Sequence, residues 1–320
     1  MRIAVTGASG LIGSALVPHL RSVGHEVVRL VRRPAAGPDE VRWDPQAGTV
    51  DLDALQGVDG VVHLAGAGVG DHRWTDAYKR TILSSRVDST KTIVRAITSL
   101  DPKPRVLVSA SAIGWYGDTG DRMVDESAPA GTGFLADVVR AWEAAAAPAA
   151  TEGIRVVHPR TGLVLDAPDS TLGPLLSVMK VGAGGTTSGM GGAFGPLVPG
   201  ARLYLAGRLG SGKQYWSWIS LRDEVCALQF LLEQDHLSGP VNLTGPAPVT
   251  NAEVSSALAE QLGRRWLPPI PAFALKALLG EFSSEILGSA RVMPRVLEQS
   301  GFVFQDPTIE SAIRTVLAEG

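Results

Sequence analysis

A single cysteine, Cys226, stands in the whole chain, which excludes an internal disulfide and any cysteine-based metal cluster. Neither charge sign dominates: 29 Lys and Arg meet 32 Asp and Glu, a formal net charge of −3. No overall field therefore draws the protein to nucleic acid or to an acidic membrane. Apolar runs long enough to span a bilayer are missing, and the stretch 3–5 is far too short for the apolar core of a signal peptide. The six histidines are scattered, with no zinc spacing, no Gly-x-Ser-x-Gly elbow, no internal repeat and no basic stripe. These absences leave a soluble, cytoplasmic chain without a metal as the expectation, with a homodimer left open. What is present is an apolar fraction of 45%, ordinary for a globular core, and a length that allows one large or two modest domains.

The most informative stretch is the first thirteen residues. Residues 2–6 read as a short buried strand and lead directly into Gly7-Ala8-Ser9-Gly10-Leu11-Ile12-Gly13. Beyond it Ile12, Ala15, Leu16, His19 and Leu20 recur at helical spacing. Strand, glycine turn and helix is the setting a dinucleotide-binding loop requires. The glycines permit sharp backbone angles and close approach to a pyrophosphate, and the helix start offers free N–H groups to the anion. Residues 26–31 form the second strand, closed by Arg32-Arg33-Pro34. An NAD site would place an acid there for the ribose hydroxyls. No acid occurs between Val27 and Gly37, and two arginines suit the 2′-phosphate of NADP.

Further along, 41–43 and 60–64 read as strands, and Ala65 and Gly66 are small enough for a cofactor to approach the turn. His63 is either a proton carrier or a hydrogen-bonded wall histidine. Residues 75–99 read as a long helix carrying Arg80, Ser85 and Arg86. A fifth strand, 105–109, is followed by Ser111 and Tyr116, whose hydroxyls either move protons or serve the turn. Residues 135–150 read as a helix and 156–165 as a sixth strand. The stretch 182–200 is glycine-dense and reads as a mobile loop. Gly207-Arg208-Leu209-Gly210-Ser211-Gly212-Lys213-Gln214 is one residue short of a phosphate-binding P-loop, and 215–219 reads as a strand where such a loop needs a helix. That aromatic strand lines a cleft or belongs to plain core. Residues 221–234 are helical, 241–243 a late strand, and Thr250 with Glu253 a capping box for a helix ending near Leu262. Prolines 268, 269 and 271 lead into a final helical segment that runs to the end.

Together these stretches resemble the atypical extended short-chain dehydrogenase/reductases, in the epimerase-family branch with a distinctive C-terminal domain. The likeness rests on residues 6–13, 31–34, the His63-Leu64-Ala65-Gly66 turn, Arg73-Trp74, Ser85-Arg86, 160–163 and 210–219. Gly280-Glu281, Leu287-Gly288, Pro294 and Gly301-Phe302 complete it. The resemblance implies an α/β fold: a doubly wound, Rossmann-type parallel sheet over 1–165, completed by about 215–245. A smaller α+β domain of 166–214 and 246–320 would close over a substrate cleft. It implies NADP held by Gly7, Ser9, Gly10, Leu11, Ile12 and Gly13, with Val31, Arg32 and Arg33 at the adenosine phosphate. His63, Leu64, Ala65, Arg80, Ser85, Arg160 and Leu163 would line the rest. Three departures stand out. His63 replaces a common Asn, the region 186–207 is long, and the superfamily's Tyr-x-x-x-Lys pair is missing. Counting back from Glu143 places Val139 at the lysine and Leu135 at the tyrosine, so Ser111 and Tyr116 become the candidates for proton transfer. The expected function is an NADP-dependent oxidoreductase or epimerase-like enzyme for a small molecule, the alternative a non-catalytic NADP-binding or redox-sensing protein.

Overall fold

The computed structural model describes residues 1–166, 207–261 and 269–319. In chain order it runs β1 (Arg2–Thr6), α1 (Leu11–Ser22), β2 (Glu26–Val31), β3 (Glu40–Asp44), β4 (Thr49–Val50) and α2 (Leu52–Leu55). There follow β5 (Gly60–His63), α3 (Asp76–Thr98), β6 (Val106–Ser109), β7 (Ser111–Ala112), a 3₁₀ turn (Ile113–Tyr116), β8 (Met123–Val124) and α4 (Phe134–Thr151). Next come β9 (Arg155–Thr161), β10 (Leu163–Leu165), β11 (Tyr215–Trp216), β12 (Trp218–Ser220), α5 (Leu221–Glu233) and β13 (Gly239–Leu243). The last are β14 (Val249–Thr250), α6 (Asn251–Gln261), α7 (Ala272–Leu279), α8 (Ser283–Leu287), β15 (Arg291–Val292), α9 (Arg295–Gln299) and α10 (Ile309–Glu319).

The main sheet has the order β13-β9-β6-β5-β1-β2-β3-β4, with β7 beside β9. Its pairings are parallel except for β3 with β4. Side chains alternate along each strand, so Ile3 and Val5 join Leu16, Leu20, Leu228 and Leu231 on one face. Ala4 joins Val28, Ile93, Ile97 and Ala149 on the other. Helices thus cover both faces, which is why these parallel strands read as continuous apolar runs. Strand β1 lies between β2 and β5, where the winding direction reverses. The turn after it sits at the position where doubly wound sheets bind their ligands. None of the described helices is long and apolar enough to cross a membrane.

Three sequence readings are corrected. The sixth strand is two, β9 and β10, split at Gly162, where a Cβ would meet the Ser217 carbonyl oxygen at 2.4 Å. That close approach lets Leu163 donate to Ser217 O at 2.8 Å and starts the pairing of β10 with β12. The aromatic strand 215–219 likewise breaks at Ser217. Its hydroxyl donates to Ala290 O (2.7 Å) and accepts from the Val292 N–H (2.8 Å). The final helical segment is interrupted: Gly280 and Gly301 adopt φ of +61° and +81°, and strand β15 pairs with β8 between helices. The glycine-dense reading at 182–200 and, but for Gly207, the length noted over 186–207 lie outside the described residues.

The P-loop-like stretch ends as the sequence reading has it, in a strand. Asn251 Oδ1 accepts from the Leu209 N–H (2.7 Å) and Gln214 Nε2 donates to Leu209 O (3.0 Å). The loop is fastened to the start of α6, where Glu253 accepts from both the N–H and the hydroxyl of Thr250.

Candidate functional site

Thr6, the last residue of β1, organises the turn. Its Oγ1 accepts from the backbone N–H groups of Leu64 (3.0 Å) and Ala65 (3.2 Å). Its proton then goes to His63 Nδ1, 2.8 Å away. Thr90 Oγ1 (3.1 Å) and Ser89 Oγ (3.2 Å) lie at Nε2. His63 is fully buried, and burial holds its pKa down at about 3. It is a neutral wall histidine, not a proton carrier. Gly7 has φ +67°, and a Cβ there would lie 2.9 Å from Leu64 C and O. A Cβ on Gly13 would meet Gly7 O at 2.2 Å. Gly10 is the N-cap of α1 and has no side chain with which to cap the helix. Close backbone packing and an uncapped helix start fit a pyrophosphate. Ser9 is exposed, Leu11 half-buried and Ile12 buried. Ser85 Oγ accepts from the Ala67 N–H at 3.0 Å, which fixes the loop after His63. Arg80 is exposed on α3, away from these hydrogen bonds.

At the end of β2, Val31 is half-buried and both arginines are exposed, but they differ. Arg33 makes a two-pronged ion pair with Glu40, Nη1–Oε2 and Nη2–Oε1 each 2.6 Å. Glu40 also accepts from the Ala36 N–H (2.8 Å) and pairs with Arg29 (2.9 Å). The Arg33 hydrogen bonds first, then Ala36, hold its carboxyl down at about 2. Glu40 lies just past the acid-free stretch 27–37, and the pairing of β3 with β2 brings it back. Arg32 makes no hydrogen bond or ion pair among the described residues. The expectation that both arginines stand ready for a phosphate is corrected accordingly.

The hydroxyls expected to move protons are otherwise engaged. Ser111 is fully buried and donates to Glu143 Oε1 at 2.6 Å. Tyr116, 2% exposed, donates to Asn242 Oδ1 (2.7 Å) and accepts from Arg160 Nη1 (3.1 Å). Burial raises its pKa against the opposing pull of Arg160. Arg160, assigned to the cofactor, is buried too. It bonds Glu143 through Nε–Oε1 (2.8 Å) and Nη2–Oε2 (3.0 Å) and stacks on Trp115, Cζ to ring centre 3.9 Å. All three therefore belong to a buried network centred on Glu143, a hub that sequence used only as a counting mark.

A cavity of about 330 Å³ opens beside that network, lined by Leu135, Val139, Thr161, Leu163, Trp216 and Glu285 among others. Neither Ser111 nor Tyr116 lines it. Leu135 and Val139 place the tyrosine and lysine positions in its wall without a proton-carrying group. Arg86, also in the wall, is buried. It donates to Ala67 O (2.9 Å) and Ile82 O (3.1 Å) and stacks over Trp142 at 5.0 Å, and burial lowers its pKa to about 10. Asp118 Oδ1 accepts from the Gly120 and Ser289 N–H groups at 2.9 and 3.3 Å. Glu285 makes no hydrogen bond or ion pair among the described residues. Burial first, then Asp118 and Glu281, raise its carboxyl to about 7. Sequence reasoning missed it because nothing local marks a glutamate in a short helix as facing a cavity. Among the described residues no group of three His, Cys, Asp or Glu could hold a metal ion.

Residues 3–161 match the NAD dependent epimerase/dehydratase family, and residues 270–316 match a domain of unknown function, DUF1731. An epimerase family protein of Mycobacterium bovis is 44% identical over 312 residues, covering 97% of this chain and 96% of the relative. The crystal structure of human epimerase family protein SDR39U1 with NADPH superimposes with a TM-score of 0.82 at 29% identity, covering 100% of both chains. MoeE5 in complex with UDP-glucuronic acid and NAD, 22% identical, gives a TM-score of 0.70 over 99% of this chain and 98% of its own, a likeness of fold. The matched regions take in the β1–α1 turn, the main sheet apart from β13, and the segment that carries Glu285. The chain belongs to the NAD dependent epimerase/dehydratase family, in the branch that ends in DUF1731.

Proposed function

We propose that this chain is an NADP-dependent oxidoreductase that acts on the carbonyl or hydroxyl group of a small, largely apolar molecule. The observation that carries this reading is the 330 Å³ cavity, mostly apolar, with Glu285 in its wall, its carboxyl without a hydrogen bond or ion pair among the described residues. Gly7, Ser9, Gly10, Leu11, Ile12 and Gly13 would hold the pyrophosphate, Val31 and Arg32 the adenosine phosphate. The backbone from His63 to Ala65, the loop fixed by Ser85, and Leu163 would line the rest. The NADPH bound by the human relative supports NADP over NAD, as does the uncommitted Arg32. When bound, the nicotinamide gives or takes a hydride. Glu285 holds the proton that a carbonyl oxygen needs as it becomes an alcohol, and its value near 7 suits that task at neutral pH. The apolar wall excludes water.

A second reading, an NADP-binding protein without catalysis, is favoured by Leu135 and Val139 alone. A screen of small aldehydes, ketones, quinones and nucleotide sugars against NADPH absorbance separates the two. Turnover of a small carbonyl, reduced roughly 10²–10⁴-fold in Glu285→Gln with NADPH affinity unchanged, is the expected result. Tight NADPH binding with no turnover across the screen would establish the second reading, and rapid sugar epimerisation would refute the first.

A further inference from the structure

We propose that Glu40 sets how strongly this chain prefers a 2′-phosphorylated cofactor, by holding Arg33 out of the phosphate site and leaving Arg32 to read it. The inference rests on the NADP reading above and assigns a role to a residue outside the cofactor-binding turn. Two adjacent arginines at the end of β2 look equivalent by sequence, yet Arg33 is spent and Arg32 has no partner among the described residues. Arg33 gives both terminal nitrogens to Glu40 at 2.6 Å. The Glu40 side chain is only 2% exposed and also receives Ala36 N–H and Arg29. An exposed ion pair would exchange readily for a phosphate. A buried carboxylate stripped of a partner is costly, so Arg33 stays where it is.

Charge reinforces the geometry. Asp39 neutralises Arg21 (2.7 Å) and reaches Arg29 (3.1 Å). With Glu40 across Arg29 and Arg33, the cluster of three arginines keeps one net positive charge. Arg32 stands outside it, at the strand end where doubly wound folds read the ribose 2′ position. Replacing Glu40 by glutamine removes the neutralising charge and frees a second guanidinium for the phosphate.

The test is calorimetric titration of the full chain with NADP⁺, NAD⁺ and 2′,5′-ADP. Arg32→Ala is expected to weaken NADP⁺ and 2′,5′-ADP roughly 10- to 100-fold, the effect of losing a hydrogen bond to a charged group, and to spare NAD⁺. Arg33→Ala changes the NADP⁺/NAD⁺ ratio less than about threefold, within the worth of a group already paired. Glu40→Gln raises that ratio about tenfold or more, and Glu40→Gln/Arg33→Ala returns it to the wild-type value. An unchanged or lower ratio in Glu40→Gln overturns the inference, as does a loss in Arg33→Ala equal to that in Arg32→Ala. The Arg33→Ala arm decides the matter even if Glu40→Gln fails to fold. A wild type that binds NADP⁺ no better than NAD⁺ overturns the NADP reading instead. The role of Glu40 survives that result only if Glu40→Gln then creates the preference.

Discussion

Gly13 and Tyr116 show how a residue's chemistry changes meaning once its neighbours are known. A methyl group on Gly13 would overlap Gly7 O, 2.2 Å from the Cβ, so the third glycine of the loop is needed by the fold before any cofactor arrives. Gly13→Ala should therefore lose about 1–3 kcal/mol of stability, the range for overpacking, and lose NADPH binding at the same time. Urea unfolding beside a binding titration checks it; a variant of wild-type stability that binds no NADPH would assign Gly13 to the cofactor alone. Tyr116 makes the opposite case. Its hydroxyl is consumed by Asn242 and Arg160, so Tyr116→Phe should cost about 1–3 kcal/mol for the partners left unsatisfied. Turnover by the folded protein should stay within about threefold of wild type, well short of the loss expected for a proton donor. A larger fall in turnover without a change in stability would restore Tyr116 to the chemistry.

Among elements, Glu143 ties α4 to β9 and β7 through Arg160 and Ser111. Glu143→Ala leaves the Arg160 guanidinium buried beside Trp115 and Tyr116 without its carboxylate. The expected loss is roughly 3–5 kcal/mol, that of breaking a buried ion pair from one side, read by denaturant unfolding. A loss below about 1 kcal/mol would mean that Arg160 is satisfied elsewhere. Strands β1, β2 and β5 were legible because β-branched runs bounded by glycine name a buried parallel strand directly, and the winding follows from their alternation with helices. The glycine turn was legible for the same reason. The break at Gly162 was not, because its cause is the Ser217 carbonyl more than fifty residues away. The interruptions at Gly280 and Gly301 were written in the sequence, but a run of apolar helix formers from Ala272 to Leu279 masked them. Glu40, Glu143 and Glu285 were illegible for one shared reason. Each acquires its function from a partner or a cavity wall supplied by another element, and periodicity carries no such information.

For the molecule as a whole, pH sets two buried groups against each other. Glu224 is fully buried in α5; it accepts from Thr161 Oγ1 at 2.8 Å, and Oε2 finds no partner among the described residues. Burial raises its pKa from 4.5 to about 8, the Thr161 hydrogen bond opposing. Between those values the folded chain keeps a proton that the unfolded chain has released. Its contribution to stability is complete below about 4.5 and declines as pH rises to about 8. His63 falls from 6.5 to about 3 on folding, so its contribution is complete above 6.5 and declines as pH falls. Each slope is at most about 1.4 kcal/mol per pH unit. The two oppose each other from 4.5 to 6.5, Glu285 adds to the Glu224 slope up to about 7, and above that Glu224 acts without opposition. Stability should therefore fall between pH 6.5 and 8. Glu224→Gln keeps an acceptor for Thr161 and cannot ionise, so it should flatten that fall. The stability difference between variant and wild type should be small near pH 4.5 and grow to roughly a few kcal/mol by pH 8.5. Urea unfolding of both proteins across that range measures it. Parallel curves for the two proteins would show that Glu224 is ionised in the folded chain, with its charge satisfied through Thr161 alone.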